Sequence, residues 1–121
     1  MQRLWLTNAL VLCLFSSSQS LAATPLVVEA ALDRQVVAPL LAAFEQAHPG
    51  IELSYRDRST LEVNALTAVA DPPPDVVISS AMPWQMNRVN EGYAQRLDSE
   101  LANEWPEWAK WRNEVFGFTF E

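Results

Sequence analysis

The chain has 121 residues, half of them hydrophobic, with 15 acidic against 8 basic side chains and a net charge of −7. That balance argues against nucleic acid and against an anionic membrane surface as partners. A single cysteine, Cys13, excludes a disulfide framework within the chain.

Residues 1–22 read as a secretory leader. Arg3 is a short basic start, "LWLTNALVLCLF" is an apolar run too short to span a bilayer, and "SSSQSLA" sets Ser20 and Ala22 as the small residues of a cleavage site. An uncleaved membrane anchor would need a longer apolar stretch. Cleavage is expected after Ala22. Cys13 follows Leu12 rather than a small residue, so it does not suit lipid attachment and leaves with the leader. Arg3 is the leader's one charged residue, so residues 23–121 keep 7 basic and 15 acidic side chains, a net −8. They suffice for one domain with one core.

"PLVVEAAL" (25–32) is mostly apolar without alternation, the pattern of a strand covered on both faces. Val36, Val37, Leu40, Leu41 and Phe44 then fall at helical spacing in one stripe. Pro39 lacks an N–H, which places it near that helix's first turn. "HPG" (48–50) stops the helix. "IELSYR" (51–56) alternates, with Ile51, Leu53 and Tyr55 on one face, and reads as a strand nearer a sheet edge. A second helix is expected over 59–70. Ser59 with Glu62 is a capping-box pattern there, and Leu61, Ala65 and Val69 make the inner face. "DPPPD" (71–75) breaks the chain before a second continuous apolar strand, Val76 to Ile78. Met82, Met86, Val89 and Tyr93 mark a third helix, ended by Gly92. Pro106 divides 97–114 into two short helices, and "VFGFTF" (115–120) reads as a last strand.

Alternating strands and helices predict an α/β fold with a parallel sheet. With the alternating strand at the edge, the strand order is 2-1-3. Ligands of such sheets sit at the carboxyl ends of the strands, where the winding reverses. The segments brought there are "ALDRQ" (31–35), "RDRST" (56–60) and "SSAMP" (79–83).

Two stretches carry a family resemblance. "LLAAFEQAHPGIEL", a helix with Phe-Glu, a Pro-Gly turn and a strand, resembles the first lobe of bacterial extracytoplasmic solute-binding proteins of ABC transporters. "DVVISSAM" with the following "VNEGYAQ", and "WAKWRNEVFGFTFE", look like the branch of iron(III)-type binding proteins and the phosphoglycerate-transport regulatory protein. The resemblance covers residues 25–121. It implies a type II periplasmic-binding-protein-like lobe, a three-layer αβα sheet in a periplasmic protein. It implies a small solute as ligand and an inner-membrane ABC permease as partner, and helix starts with hydroxyls at the strand ends suit an anionic solute. The alternative is a ligand-sensing subunit that signals to a membrane sensor kinase. Family members have two lobes with the ligand between them, so residues 23–121 are expected to be the N-terminal lobe alone, from a fragmentary gene product.

Each candidate site residue has a plain structural reading beside the functional one. Ser79 and Ser80 follow the third apolar strand, where a hydroxyl either caps the next helix or holds a ligand oxygen. Ser59 and Thr60 pose the same choice. The capping box claims Ser59 and leaves Thr60 as the better donor. Arg58 is the best-placed cation for an anion, ahead of Arg34 and Arg56. Asp33 either caps the first helix or accepts from a ligand, and Trp84 directly follows the serine corner. Trp105, Trp108 and Trp111 recur at helical spacing and are expected to pack. His48 lies at the far end from the crevice, so no metal role is expected for it. No catalytic constellation, metal-ligand spacing or cofactor motif is legible, which argues against an enzyme.

Sequencing the exported protein's N-terminus checks the leader. Ala23 or Thr24 should come first, and an intact Met1 in the membrane fraction would refute cleavage.

Overall fold

The structure, a computed structural model, describes residues 22–118. The expected leader, up to residue 21 and including Cys13, lies outside the described residues, as do Thr119 and Phe120 of the expected last strand.

Three parallel strands form one sheet: β1 (Thr24–Ala30), β2 (Ile51–Asp57) and β3 (Val76–Ile78), in the order β2-β1-β3. This is the 2-1-3 order read from the sequence. β2 pairs with β1 from Thr24↔Ile51 to Ala30↔Asp57, whereas β3 pairs with it only from Val28↔Val76 to Ala30↔Ile78. Asp75 brackets the start of β3. Its N–H donates to the Val27 carbonyl and its carboxylate accepts from the Val27 N–H, both at 2.8 Å.

Successive strand residues face opposite sides of a sheet. On one side Leu26, Val28, Ala30, Leu53, Tyr55 and Ile78 meet Val37 and Leu41 of α1 (Arg34–Ala47). On the other side lie α2 (Thr60–Leu66) and a short 3-10 turn (Thr67–Val69), whose Thr67 hydroxyl reaches Glu29 of β1. The result is a three-layer αβα lobe.

α1 begins early because two carboxylates cap it. Asp33 accepts from the Gln35 N–H at 2.7 Å and Asp57 from the Arg34 N–H at 2.9 Å. Pro39 therefore sits inside the helix, beyond the first turn where its missing N–H had placed it. The apolar stripe is also narrower than its spacing suggested. Val37 and Leu41 pack, but Val36 and Leu40 are exposed.

The inner face expected for α2 is corrected. Val63 is fully buried, whereas Leu61 is 80% and Val69 74% exposed, and Ala65 is exposed too. Val63 and Thr67 are four residues apart and share the helix face that meets the sheet. The α-helix ends at Leu66, so Val69 falls in the 3-10 turn and leaves that face.

After β3, α3 (Met82–Asn90) buries Val89. Met86 is half-buried, and Met82 and Tyr93 are exposed. Gly92 ends this helix with φ at 87°, a conformation glycine adopts without a Cβ clash. Pro106 does divide the next segment, into α4 (Glu100–Glu104) and a 3-10 turn at Glu107–Ala109. The last strand is shorter than expected among the described residues. β4 (Lys110–Trp111) pairs antiparallel with β5 (Val115–Phe116), and the turn between them holds Arg112 and Asn113 at positive φ. A two-residue partner cannot pair a longer strand.

Of the three tryptophans expected to pack, Trp105 is half-buried. Its indole N–H donates to the Gly117 carbonyl at 3.2 Å, and Phe116 and Phe118 meet its ring edge-on. Trp108 and Trp111 are exposed, because Pro106 interrupts the spacing that would have aligned them. No helix among the described residues is long and apolar enough to cross a membrane.

Two expectations follow. Val63→Ala should cost about 1.5–3 kcal/mol in urea unfolding, while Leu61→Ala should stay within about 0.5 kcal/mol of the parent. The capping box supplies the second. Ser59 donates to Glu62 through both its N–H and its hydroxyl, each at 2.8 Å, and its hydroxyl oxygen accepts from the Glu62 N–H at 3.3 Å. The donated bonds, the backbone one first, hold the Glu62 carboxyl below its usual value. A folded value below the unfolded one stabilises above the unfolded value, and that gain is lost as pH falls through the folded one. Ser59→Ala should therefore lower the melting temperature by about 5 °C at neutral pH. The deficit should narrow as acid protonates Glu62 in both proteins.

Candidate functional site

The crevice lies where the three strands end. The Arg58 N–H donates to the Ala30 carbonyl at 2.9 Å and the Ala31 N–H to the Ile78 carbonyl at 2.8 Å. Residues 31–35, 56–60 and 79–83 thus leave the sheet side by side, with the end of β1 in the middle. Burial first, and then the Asp57 carboxylate, push the Tyr55 phenol above its usual value. The phenol donates to the Leu32 carbonyl at 2.8 Å and pins the loop after β1.

The helix starts that face this crevice differ. The N-terminus of α1 is covered by Asp33 and Asp57, and that of α2 by the Ser59–Glu62 box. Asp33 and Ser59 are therefore capping residues in this structure. α3 has Ala81 at its N-cap, with no side-chain cap and with Pro83 in its first turn. Neither serine caps α3. The Ser79 hydroxyl instead accepts from the Ala81 N–H at 3.1 Å, forming a tight local turn. The Ser80 side chain is exposed, and its carbonyl accepts from the Met82 N–H at 2.8 Å. The Gln85 amide donates to the Ser79 carbonyl and fixes the corner from the helix side.

Thr60, half-buried at the first position of α2, makes no side-chain hydrogen bond among the described residues. Trp84 is half-buried under the Arg88 guanidinium, which lies 5.5 Å from its ring and 5.2 Å from that of Tyr93. Arg34 is spent on β2. It donates to the Tyr55 carbonyl at 2.6 Å and lies over the Tyr55 ring. His48 caps the far end of α1 and stacks at 4.7 Å on Phe44. Among the described residues no group of His, Cys, Asp and Glu could hold a metal ion.

Sequence reasoning missed Glu29. It is fully buried next to the carboxyl end of β1. Arg56 Nη1 lies 3.7 Å and Arg58 Nε 3.6 Å from its Oε2, and the Thr67 hydroxyl donates to its Oε1 at 2.6 Å. Arg56 also donates to the Pro72 carbonyl at 2.9 Å. Two guanidiniums thus face one carboxylate. The clue was present in the sequence: a lone charge in an apolar run, with two arginines spaced to share one face of the paired strand.

Two cavities lie elsewhere. One of about 500 Å³ runs along the β2 edge between Val27, Ser54, Arg56 and Pro72. The other, of about 390 Å³, lies between α3 and the C-terminal hairpin, lined by Met82, Met86, Trp108, Trp111 and Phe118. Thr60, Ser79 and Ser80 line neither.

Residues 29–121 match the family model described as bacterial extracellular solute-binding protein. Among solved structures, the chain is similar to the substrate binding protein of the ABC transporter from Agrobacterium tumefaciens. The two are 36% identical with a TM-score of 0.67, over 74% of this chain and 28% of that one. This chain therefore spans little more than a quarter of that protein's length. No curated protein matches the chain. The parallel sheet with its crevice at the strand ends and the match over residues 29–121 agree: the chain belongs to the bacterial extracellular solute-binding proteins.

Proposed function

We propose that residues 24–118 form one wall of the solute cleft of a periplasmic, non-enzymatic binding protein. It delivers a small anionic solute to an ABC permease in the inner membrane. One observation carries the choice of an anion. Of the three helices that begin at the crevice, α3 alone has no side-chain cap, and it begins behind Ser79 and Ser80. The first N–H groups of a helix have no partner within it, and the partial positive charge there fades within about one turn. Met82 donates its N–H to the Ser80 carbonyl and Pro83 has none, so the Trp84 N–H is the first-turn donor left for a solute oxygen, a contact that needs no lysine and suits an acidic protein. Thr60 and the exposed Ser80 hydroxyl add donors, Arg58 adds charge at the rim, and Trp84 flanks the corner. Closure of a second lobe over this wall is the movement that would signal occupancy to the permease. Phosphate esters and ferric complexes, suggested by the branch that the sequence resembles, are the first solutes to test.

Calorimetric titration with phosphoglycerate, a dicarboxylate and ferric citrate tests this reading. Ser80→Ala and Ser79→Ala should each weaken binding of the preferred anion by about 1–2 kcal/mol. Ser80→Ala should leave the melting temperature unchanged, since that side chain does not cap α3. Unchanged affinity in both variants would remove the serines from the site.

A further inference from the structure

Arg58 is held in an unusual way. Its Nε is buried without a hydrogen-bond partner and faces Glu29 Oε2, itself buried without one, at 3.6 Å. The terminal nitrogens of Arg58 make no hydrogen bond among the described residues, and its side chain is 30% exposed. Arg56 differs, because its Nη1 serves both Glu29 and the Pro72 carbonyl. The inner edge of the Arg58 guanidinium is thus anchored on a fully buried carboxylate, while its outer end, just past the end of β2, makes no hydrogen bond among the described residues. Two guanidiniums face the buried carboxylate, and the Glu62 carboxylate lies within the reach of the Arg58 charge. A fixed guanidinium with its outer nitrogens unoccupied suits a fork-like approach to a phosphate or carboxylate.

We propose that Glu29 is a positioning residue for solute binding: it fixes Arg58 so that the outer guanidinium nitrogens meet an anionic group of the solute. This inference rests on the anion reading of the crevice. Thr67 takes part, because its hydroxyl holds the other oxygen of the same carboxylate. Without Glu29 the Arg58 side chain keeps its charge and loses its orientation, so affinity falls although no contacting residue has changed.

The test titrates the full chain with inorganic phosphate and with phosphoglycerate, followed by NMR. Arg58→Ala should weaken binding roughly tenfold. Glu29→Gln, which keeps shape but not charge, should weaken it about three- to tenfold. In an Arg58→Ala background Glu29→Gln should cost nothing further, which a merely structural role would not produce. In the ligand-free protein the Arg58 Nε–H should exchange slowly with water, and faster in Glu29→Gln. If that variant does not fold, Thr67→Val replaces it. It should give a smaller loss that also vanishes without Arg58. Normal affinity in Glu29→Gln, or a loss that persists without Arg58, overturns the positioning role and leaves the anion reading standing. A parent chain that binds neither these probes nor the dicarboxylate and ferric citrate overturns both.

Discussion

One charged side chain in the central strand constrains this lobe more than any apolar contact. Removing a carboxylate from water costs several kcal/mol unless partners replace the lost hydration. Glu29 finds them on two other elements, the arginines of β2 and its exit loop and the hydroxyl of Thr67. In the pairing of β1 with β2, Glu29 lies opposite Arg56. A slip of one residue would turn Arg56 and Arg58 toward the α1 face and leave the carboxylate unpaired. The same group thereby opposes register errors in an edge strand and ties α2 to the sheet. The apolar core could not do this alone. Its buried members are mostly valines and alanines, with Tyr55 the one large side chain among them.

The topology was legible because it depends on periodicity alone. The alternation in Ile51, Leu53 and Tyr55 marked an edge strand, and the unbroken run before it marked a covered one. Those two facts are enough for the 2-1-3 order. The helix faces were less legible. A stripe read at fixed spacing assumes a regular helix of known phase, yet α2 turns into a 3-10 segment after Leu66 and carries Val69 away from the sheet. Pro39 misled for a related reason. Its missing N–H favours a helix start nearby, but Asp33 and Asp57 supply stronger caps at Arg34, and the helix tolerates one lost bond. The last strand shows a limit of a different kind. The composition of residues 115–120 suits a strand, but the described pairing depends on a partner, Lys110–Trp111, that no local pattern announced.

Site residues were harder still, because the residue types that cap helices are those that bind oxygens. By residue type alone, each hydroxyl suits either capping or binding. The structure divides them unevenly. Ser59 caps, as its Glu62 partner indicated, whereas Ser79 and Ser80 do not, because α3 begins one residue later at an alanine. Pro83 explains that start. Its fixed φ suits the first turn of a helix, so the chain can enter α3 without a polar N-cap. The uncapped helix start is thus a consequence of a proline, and the two serines are left at the corner with neither assigned to the helix end.

The three helix starts give the crevice a polarity. On the α1 side an incoming anion meets Asp33 and Asp57, each already accepting from the helix N–H groups. At α2 it meets Glu62, whose carboxyl is stabilised as the anion by Ser59. Like charges oppose it there, although the Thr60 and Leu61 N–H groups of the first turn have no hydrogen-bond partner among the described residues. On the α3 side no carboxylate is resident and the Trp84 N–H is the one first-turn donor without a partner among the described residues, while Arg58 stands across the end of β1 with its terminal nitrogens unoccupied. An anionic group in this crevice is therefore repelled by the carboxylates at the starts of α1 and α2 and drawn to Arg58 and to the carboxylate-free start of α3. An acidic lobe can hold an anion this way because its negative charges are placed where they direct the solute to one corner.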